Sequence, residues 1–295
     1  MLDKEPEEFR ETRGLWHIWQ IFYQDKLALA SFYLFLLLII TALFHQFIAP
    51  YGSNEQFIGF ELLPPSWSEN GKIAYFLGTD DIGRDILSRL IGGTTYTFGT
   101  ALLVVLFTSV LGGVLGICAG LSQGLKSRIL GHFFDSFLSI PILLIAIIIA
   151  TLMQPSLINA MLSITLALLP YFIHEIYQAV QQELKKEYIL MLRLDGASDW
   201  LLVKETILPN IAIRYICEIT RAFIIAIVDI SALSFISLGA QRPTPEWGVM
   251  IKDYMDLIYL APWATILPGV AIIITIVIVL IMANGLCKAI EKYYE

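Results

Sequence analysis

Long apolar runs alternate with shorter polar segments along this chain of 295 residues. A helix needs about 20 mostly apolar residues to cross the hydrocarbon core of a bilayer. Six stretches meet that requirement and predict six membrane-spanning helices, at residues 27–49, 97–120, 133–153, 157–177, 211–238 and 266–287. The second of them has glycines at small-xxx-small spacing, which predict close helix packing: Gly112, Gly113, Gly116 and Gly120. The pattern therefore predicts an all-α, polytopic membrane protein.

The most distinctive polar stretch is residues 185–209, a charged, helix-forming segment between two predicted spans, which we call the knob. Its apolar residues recur at helical spacing until Gly196, which is typical of a residue that ends a helix. A second helix is predicted over residues 200–206, after which Leu208 and Pro209 should turn the chain back toward the membrane. An apolar face in water predicts a protein partner, and a connector lying on the lipid surface is the alternative.

The longest predicted loop on the opposite side of the membrane covers residues 50–96. Its charged part holds five candidate residues, Thr79, Asp80, Gly83, Arg84 and Asp85. Thr79 or Asp80 is predicted to cap a helix that continues through Asp85, and opposite charges within this group can form local ion pairs. Such a group is most often a solvated helix face, and that is the interpretation the sequence favours.

Polar groups inside predicted spans are candidates for function, because they are costly in lipid. His174 and Glu175 lie in the inner half of the fourth span, and Glu218 in the fifth can pair with either of two neighbouring arginines. Asp229 is predicted near mid-membrane, where an unpaired carboxylate costs about 2.5 to 3.5 kcal/mol. It either faces a water-filled path or a partner subunit, or makes a satisfied structural contact. His174, Glu175 and Asp229 are our candidates for a translocation path.

Composition supports the membrane assignment, since 57% of the residues are hydrophobic and only 15% are charged. The net charge of −7 says little about partners in a membrane protein, but the sequence has no basic patch of the kind that nucleic acids require. The three cysteines, Cys118, Cys217 and Cys287, all fall in apolar segments without metal-ligand spacing, so neither a metal site nor a disulfide framework is predicted. Residues 120–127 lack the spacing of a phosphate-binding loop, and we predict no nucleotide site and no catalytic residue in this chain.

Lysine and arginine in the loops set the predicted orientation. With the N-terminus inside, the cytoplasmic segments carry 12 of them and the outer segments 5. Both termini are therefore predicted to be cytoplasmic, as is the loop over residues 179–209 that contains the knob. Residues 1–26 are predicted to form a tail and an interfacial helix, the alternative being an extended start to the first span. Residues 27–295 are predicted to form one membrane domain.

Four sequence segments together resemble one protein family. They read GTDDIGRDILSRLI before the second span, DGAS followed by ILPN in the knob, then LSFISLGAQRPTPEWGVMI and APWATILPG near the end. In this order they resemble the permease subunits of bacterial ABC transporters, in particular the second permease of dipeptide and oligopeptide systems. Within that family the likeness is to the Sap-type systems, which are linked to sensitivity to antimicrobial peptides. The resemblance implies a type I importer core in a bacterial inner membrane.

The resemblance also implies that the knob is the coupling loop that docks on an ATP-hydrolysing subunit. Its candidate residues are Tyr188, Arg193, Asp195, Gly196, Ala197, Leu208 and Pro209. The implied partners are a homologous second permease, two ATPase subunits that bind ATP and Mg, a periplasmic solute-binding protein and membrane lipid. This chain itself would bind no cofactor. The sequence departs from the family pattern at Met191 and Leu192, where paired alanines are usual. Its acidic residue Asp229 also lies one position earlier than the acidic residue of the family pattern.

Three functions follow as alternatives. The resemblance implies ATP-driven transport of peptides, with cationic antimicrobial peptides or haem as possible cargo. Export of a polyamine such as putrescine is the second hypothesis. A proton-coupled secondary transporter, with His174, Glu175 and Asp229 as a relay, is a different class and is expected to work without ATP.

Overall fold

The computed structural model describes residues 10–122 and 137–294, and this part of the chain is helical without a β-strand. The helices are α1 (Arg10–Gln24), α2 (Lys26–Ile48), α3 (Ile86–Thr94), α4 (Thr100–Leu121), α5 (Ile142–Thr151), α6 (Leu157–Leu184), α7 (Glu187–Leu194), α8 (Asp199–Leu202), α9 (Leu208–Phe235), α10 (Trp247–Asp253) and α11 (Pro262–Tyr294). Single π turns at Thr95–Gly99 and Val203–Ile207 join α3 to α4 and α8 to α9. The predicted all-α class is confirmed.

Among the described residues, four helical stretches are long and apolar enough to cross a membrane: Lys26–Ile48, Ile86–Leu121, Leu157–Leu184 and Pro262–Tyr293. They correspond to the first, second, fourth and sixth predicted spans. Helix α5 is apolar but has only 10 residues, and residues 133–136 of the third predicted span lie outside the described part of the chain. Helix α9 has 28 residues but carries Arg214, Glu218, Arg221 and Asp229. Length and apolarity alone therefore identify four spans.

Helix α6 lies at the centre of the packing, with α4 running along it. A methyl group on Gly116 would approach Cβ of Ile176 to 2.8 Å, and one on Gly120 would approach Cβ of Val180 to 2.6 Å. Distances this short are not tolerated between carbon atoms, so only glycine permits the observed contact. The predicted close packing of the glycine-rich span is confirmed.

Helix α1 is separate from the first span. Asp25 ends it and caps α2, because its carboxylate accepts hydrogen bonds from the backbone N–H groups of Leu27 and Ala28, both at 3.1 Å. Phe22 and Ala28 pack with Ala289 near the end of α11. The alternative of an extended start to the first span is therefore wrong, whereas the interfacial position of α1 stays a prediction.

Candidate functional site

The knob consists of two short helices joined by a left-handed residue. Gly196 has a φ of +85°, and its N–H donates to the carbonyl of Arg193 at 3.1 Å, which ends α7 as predicted. Ser198 Oγ then accepts from the N–H of Leu201 at 3.3 Å at the start of α8. Residues 196–198 thus redirect the chain within a single turn.

The predicted turn at Leu208 and Pro209 is wrong. The chain runs on helically from α8 into α9 through the π turn, in which the N–H of Leu208 donates to the carbonyl of Val203. Proline has no backbone N–H and can donate no hydrogen bond. Pro209 lies in the first turn of α9, directly after the π turn, where a helix tolerates a residue without a donor. The knob is therefore continuous with a long helix of the membrane domain.

A buried carboxylate fixes the base of the knob. Glu183 at the end of α6 is only 5% exposed, and it accepts hydrogen bonds from the hydroxyl of Tyr188 in α7 and from Nδ2 of Asn210 in α9, the latter at 3.0 Å. Lys186 Nζ lies 2.7 Å from its second oxygen. Burial, with the neighbouring Glu183 charge, raises the pKa of Tyr188 to about 12, so the hydroxyl stays a donor at neutral pH. Three helices are tied together at this one group.

Apolar side chains of α7, α8 and the following π turn are buried inside the knob, while its outer surface stays exposed. Ile189, Leu202 and Ile207 are fully buried beneath it. The exposed side chains form a surface that we call the apolar patch: Leu190, Met191, Leu194 and Trp200. Trp200, the largest of these side chains, is 74% exposed. An exposed apolar surface on an anchored base is typical of a docking site for another protein.

The predicted coupling residues lie at different depths around this patch. Tyr188 is 39% exposed but donates its hydroxyl to the buried Glu183, and Ala197 packs against the core. Asp195 and Leu208 are exposed, and Arg193 is half-buried. Sequence reasoning missed Glu183 and Asn210. The one signal for Asn210 was its place at the end of the ILPN segment, and Glu183 gave none.

The three candidate path residues are not brought together. His174 and Glu175 are neighbours on α6, but Glu175 pairs with Arg214 of α9 at 3.3 Å, and His174 Nε2 lies 3.3 Å from Gln178. Asp229 lies about four helical turns beyond Arg214, the partner of Glu175, which is about 22 Å along the axis of α9. A direct relay among His174, Glu175 and Asp229 is therefore not formed by this chain.

Asp229 itself is buried, with 5% of its surface exposed, and its Oδ2 has no hydrogen-bond partner among the described residues. Glu218, by contrast, lies 3.9 Å from Arg221 on the same helix, which is one of the two pairings predicted for it. The other arginine, Arg214, pairs across to α6 instead. Asp229 is thus the buried acid of α9 that pairs with no cation among the described residues.

In the outer loop, the predicted cap and the solvated helix face are both wrong. Asp85, not Thr79 or Asp80, caps α3, since its Oδ2 accepts from the N–H of Ser88 at 2.7 Å. The chain cannot be helical before this point because Gly83 has a φ of +77°. Thr79 instead accepts from the N–H of Leu63 at 2.9 Å. These polar residues are buried and organise the loop from within.

Asp80 and Arg84 form the predicted ion pair, at 2.7 Å between Oδ2 and Nε, but both side chains are buried. The hydroxyl of Tyr254 donates to the same Asp80 oxygen at 2.9 Å, and Tyr254 follows α10 directly. The group therefore joins the outer loop to the segment between α9 and α11. This arrangement is a structural clamp rather than an open binding site.

We expect Gly83→Ala to loosen this clamp. A methyl group there would meet the carbonyl oxygen of Phe57 at 2.4 Å, and an alanine is strained at positive φ, at a cost of about 1 to 3 kcal/mol. Limited proteolysis of the purified protein should then cut within residues 50–85 faster than in the wild type. Gly269→Ala is the matched control, because no atom lies within 4 Å of its added carbon. Equal cleavage of Gly83→Ala and the wild type would contradict the account.

Glu246 is a second buried anchor on this side, and sequence reasoning did not identify it. It caps α10 by accepting from the N–H of Val249 at 2.9 Å, and it also accepts from Thr97 Oγ1 at 2.9 Å and Ser231 Oγ at 3.3 Å. The last two bonds join α10 to the start of the second membrane stretch and to the end of α9. Complete burial raises the pKa of the Glu246 carboxyl above its ordinary value of 4.5.

This raised pKa predicts a pH dependence of stability. The folded state holds the proton more tightly than the unfolded state, so the stabilisation is present at low pH and is lost as pH rises toward the folded pKa. We expect the wild type to lose more thermal stability between pH 5 and pH 8 than Glu246→Gln does. Thermal unfolding of both proteins in the same detergent measures this. An identical change in both would mean that another group controls the dependence.

Two protein-family models match this chain. The family model described as "Binding-protein-dependent transport system inner membrane component" matches residues 112–292, and the model for the N-terminal TM domain of oligopeptide transport permease C matches residues 14–65. The chain is also similar to inward-facing structures of the MetNI methionine ABC transporter, with a TM-score of 0.60 and 16% identity over 70% of this chain and 97% of that one. That likeness concerns the fold.

Several curated proteins are similar over nearly their whole length. The peptide transport system permease protein SapC of Haemophilus influenzae is 62% identical over 100% of both chains. The protein of the same name in Escherichia coli is 47% identical over 92% of both. The dipeptide transport system permease protein DppC of Escherichia coli is 36% identical over 94% of this chain and 92% of its own.

Proposed function

This chain belongs to the family of binding-protein-dependent transport system inner membrane components, and from that premise we propose that it is a permease subunit that carries peptides through the inner membrane for an ATP-driven transporter. The observation that carries the proposal is the knob, an exposed apolar patch on a base held by Glu183. Movement of a rigid knob is transmitted directly to α9, because no flexible loop separates the two.

The finer architecture belongs to the same proposal. We propose six spans, with α9 and the segment containing α5 as the two that length and apolarity do not identify. Both termini and the knob lie in the cytoplasm, in accordance with the bias of lysine and arginine. Residues 1–26 form a tail and an interfacial helix, and residues 27–295 form the membrane domain.

The proposed assembly contains a homologous second permease, two ATPase subunits and a periplasmic solute-binding protein, surrounded by membrane lipid. ATP and Mg are bound by the ATPase subunits, and this chain performs no covalent chemistry. The words "binding-protein-dependent" in the family description support import. The names of the similar proteins refer to peptides, so they do not favour polyamine export, and a proton relay has no support because Glu175 is paired with Arg214.

ATP hydrolysis by the complete complex in lipid nanodiscs tests this function. We expect stimulation by di- or oligopeptides only when the solute-binding protein is present. Haem, a cationic peptide and putrescine are tested at the same concentrations, and each is repeated without the binding protein as a control. Stimulation by putrescine alone, without the binding protein, would replace peptide import with polyamine export. Transport that continues without ATP and stops with an uncoupler would indicate a secondary transporter.

A further inference from the structure

Two cysteines that are 70 residues apart in sequence meet between α9 and α11. The Sγ atoms of Cys217 and Cys287 lie 3.7 Å apart, and neither cysteine is in a disulfide. Cys217 is exposed and Cys287 is partly exposed, so a small oxidant can reach the pair. The third cysteine, Cys118, lies on α4. The fold thus creates a thiol pair that sequence spacing alone did not predict.

The surroundings of the pair favour reaction between the two sulfurs. Both cysteines line one cavity of about 310 Å³, together with Arg221 and Asn284. The cavity gives a small oxidant access to both sulfurs. A disulfide has an S–S length of about 2.05 Å, so the sulfurs must approach by about 1.7 Å, which side-chain rotation and small helix shifts can supply. The arrangement therefore suits bond formation within one chain.

We propose that Cys217 and Cys287 form a reversible disulfide that locks α9 to α11 under oxidation by a peroxide. One thiolate attacks hydrogen peroxide, which breaks the O–O bond and leaves a sulfenic acid on that sulfur and a hydroxide ion. The second thiol then attacks the sulfenic sulfur, forming the S–S bond and releasing water. In total, two thiols are oxidised and one peroxide is reduced to two molecules of water. A dithiol reductant restores both cysteines.

The consequence for activity rests on the proposed function. Helix α9 continues directly from the knob, whereas α11 packs against α1 and α2. A covalent bond between α9 and α11 removes their freedom to shift against each other, which alternating access through a helical permease requires. Oxidation should therefore stop coupled ATP hydrolysis without removing the ATPase subunits.

The test uses the complete complex in nanodiscs, treated with hydrogen peroxide and digested without reductant. Peptide mass spectrometry is expected to find the Cys217–Cys287 linked peptide, and dithiothreitol is expected to remove it. Peptide-stimulated ATP hydrolysis should be largely lost on oxidation and recovered on reduction. Cys217→Ser and Cys287→Ser should each keep their activity in peroxide, whereas Cys118→Ser should respond as the wild type does.

Each outcome decides one step. Absence of the linked peptide, or only sulfenic and sulfinic acids on Cys217, overturns the pair as a disulfide site. A linked peptide with unchanged ATP hydrolysis overturns the lock. Failure of the proposed function would look different, because no peptide would then stimulate ATP hydrolysis even in the reduced complex. The cysteine-linked peptide can be detected by mass spectrometry whether or not the complex transports.

Discussion

Gly196→Pro is expected to leave this permease in the membrane and to separate it from its ATPase subunits. Gly196 has a φ of +85°, whereas proline fixes φ near −65°. Proline also removes the N–H that donates to Arg193, and it disfavours the conformation of Asp195, which has a ψ of 1°. The turn between α7 and α8 cannot form, so the apolar patch loses its shape. A loss of about 1.4 kcal/mol in docking already lowers affinity tenfold.

Co-purification of the ATPase subunits with the tagged permease measures this effect. Gly59→Pro is a matched control, because Gly59 also has a φ of +85° with no atom within 4 Å of its missing carbon, but it lies in the outer loop. We expect Gly59→Pro to retain the ATPase subunits. Gly196→Asn should retain much of the docking, since asparagine tolerates the left-handed region. Full retention by Gly196→Pro would show that the knob is not the docking site.

The features that sequence predicted well depend on local or periodic rules. The glycine spacing of α4 predicted its close contact with α6, because small residues every four positions line one face of a helix. Gly196 ended α7 because few other residues accept a positive φ. Four spans followed from apolar length alone. The fifth predicted span, α9, does not pass the stricter test of length and apolarity applied to the structure, since it carries four charged residues, of which Arg214 is paired across to α6.

The features that sequence missed are polar groups buried by distant segments. Asp80 and Arg84 were expected in water, but Tyr254 and the loop over residues 50–85 enclose them. Glu183 and Glu246 gave no local signal, because each organises bonds to residues far along the chain. A buried acid is recognisable only when its donors are known. The paired thiols on α9 and α11 escaped prediction for the same reason.

Asp229 is expected to lower the stability of the protein while it is required for transport. Asp229 is buried, and within the described part of the chain its Oδ2 has no hydrogen-bond partner; a carboxylate buried in this way in the membrane domain lowers stability. Groups that lower stability in this way are typical of functional sites. Asp229→Asn keeps the size of the side chain and removes the charge. We therefore expect a higher melting temperature together with a marked loss of ATP-driven peptide uptake.

Both quantities are measured on the assembled complex, the first by thermal unfolding and the second by uptake into proteoliposomes. Glu218→Gln is the matched control on the same helix: Glu218 lies 3.9 Å from Arg221 in a weak, partly exposed pair, so removing its charge should leave peptide uptake unchanged. A structural role for Asp229 predicts the reverse for its own variant, a lower melting temperature with normal uptake, because a satisfied contact is lost and no path is changed. A loss of uptake confined to Asp229→Asn, with Glu218→Gln unaffected, separates a group retained for transport from a group retained for folding.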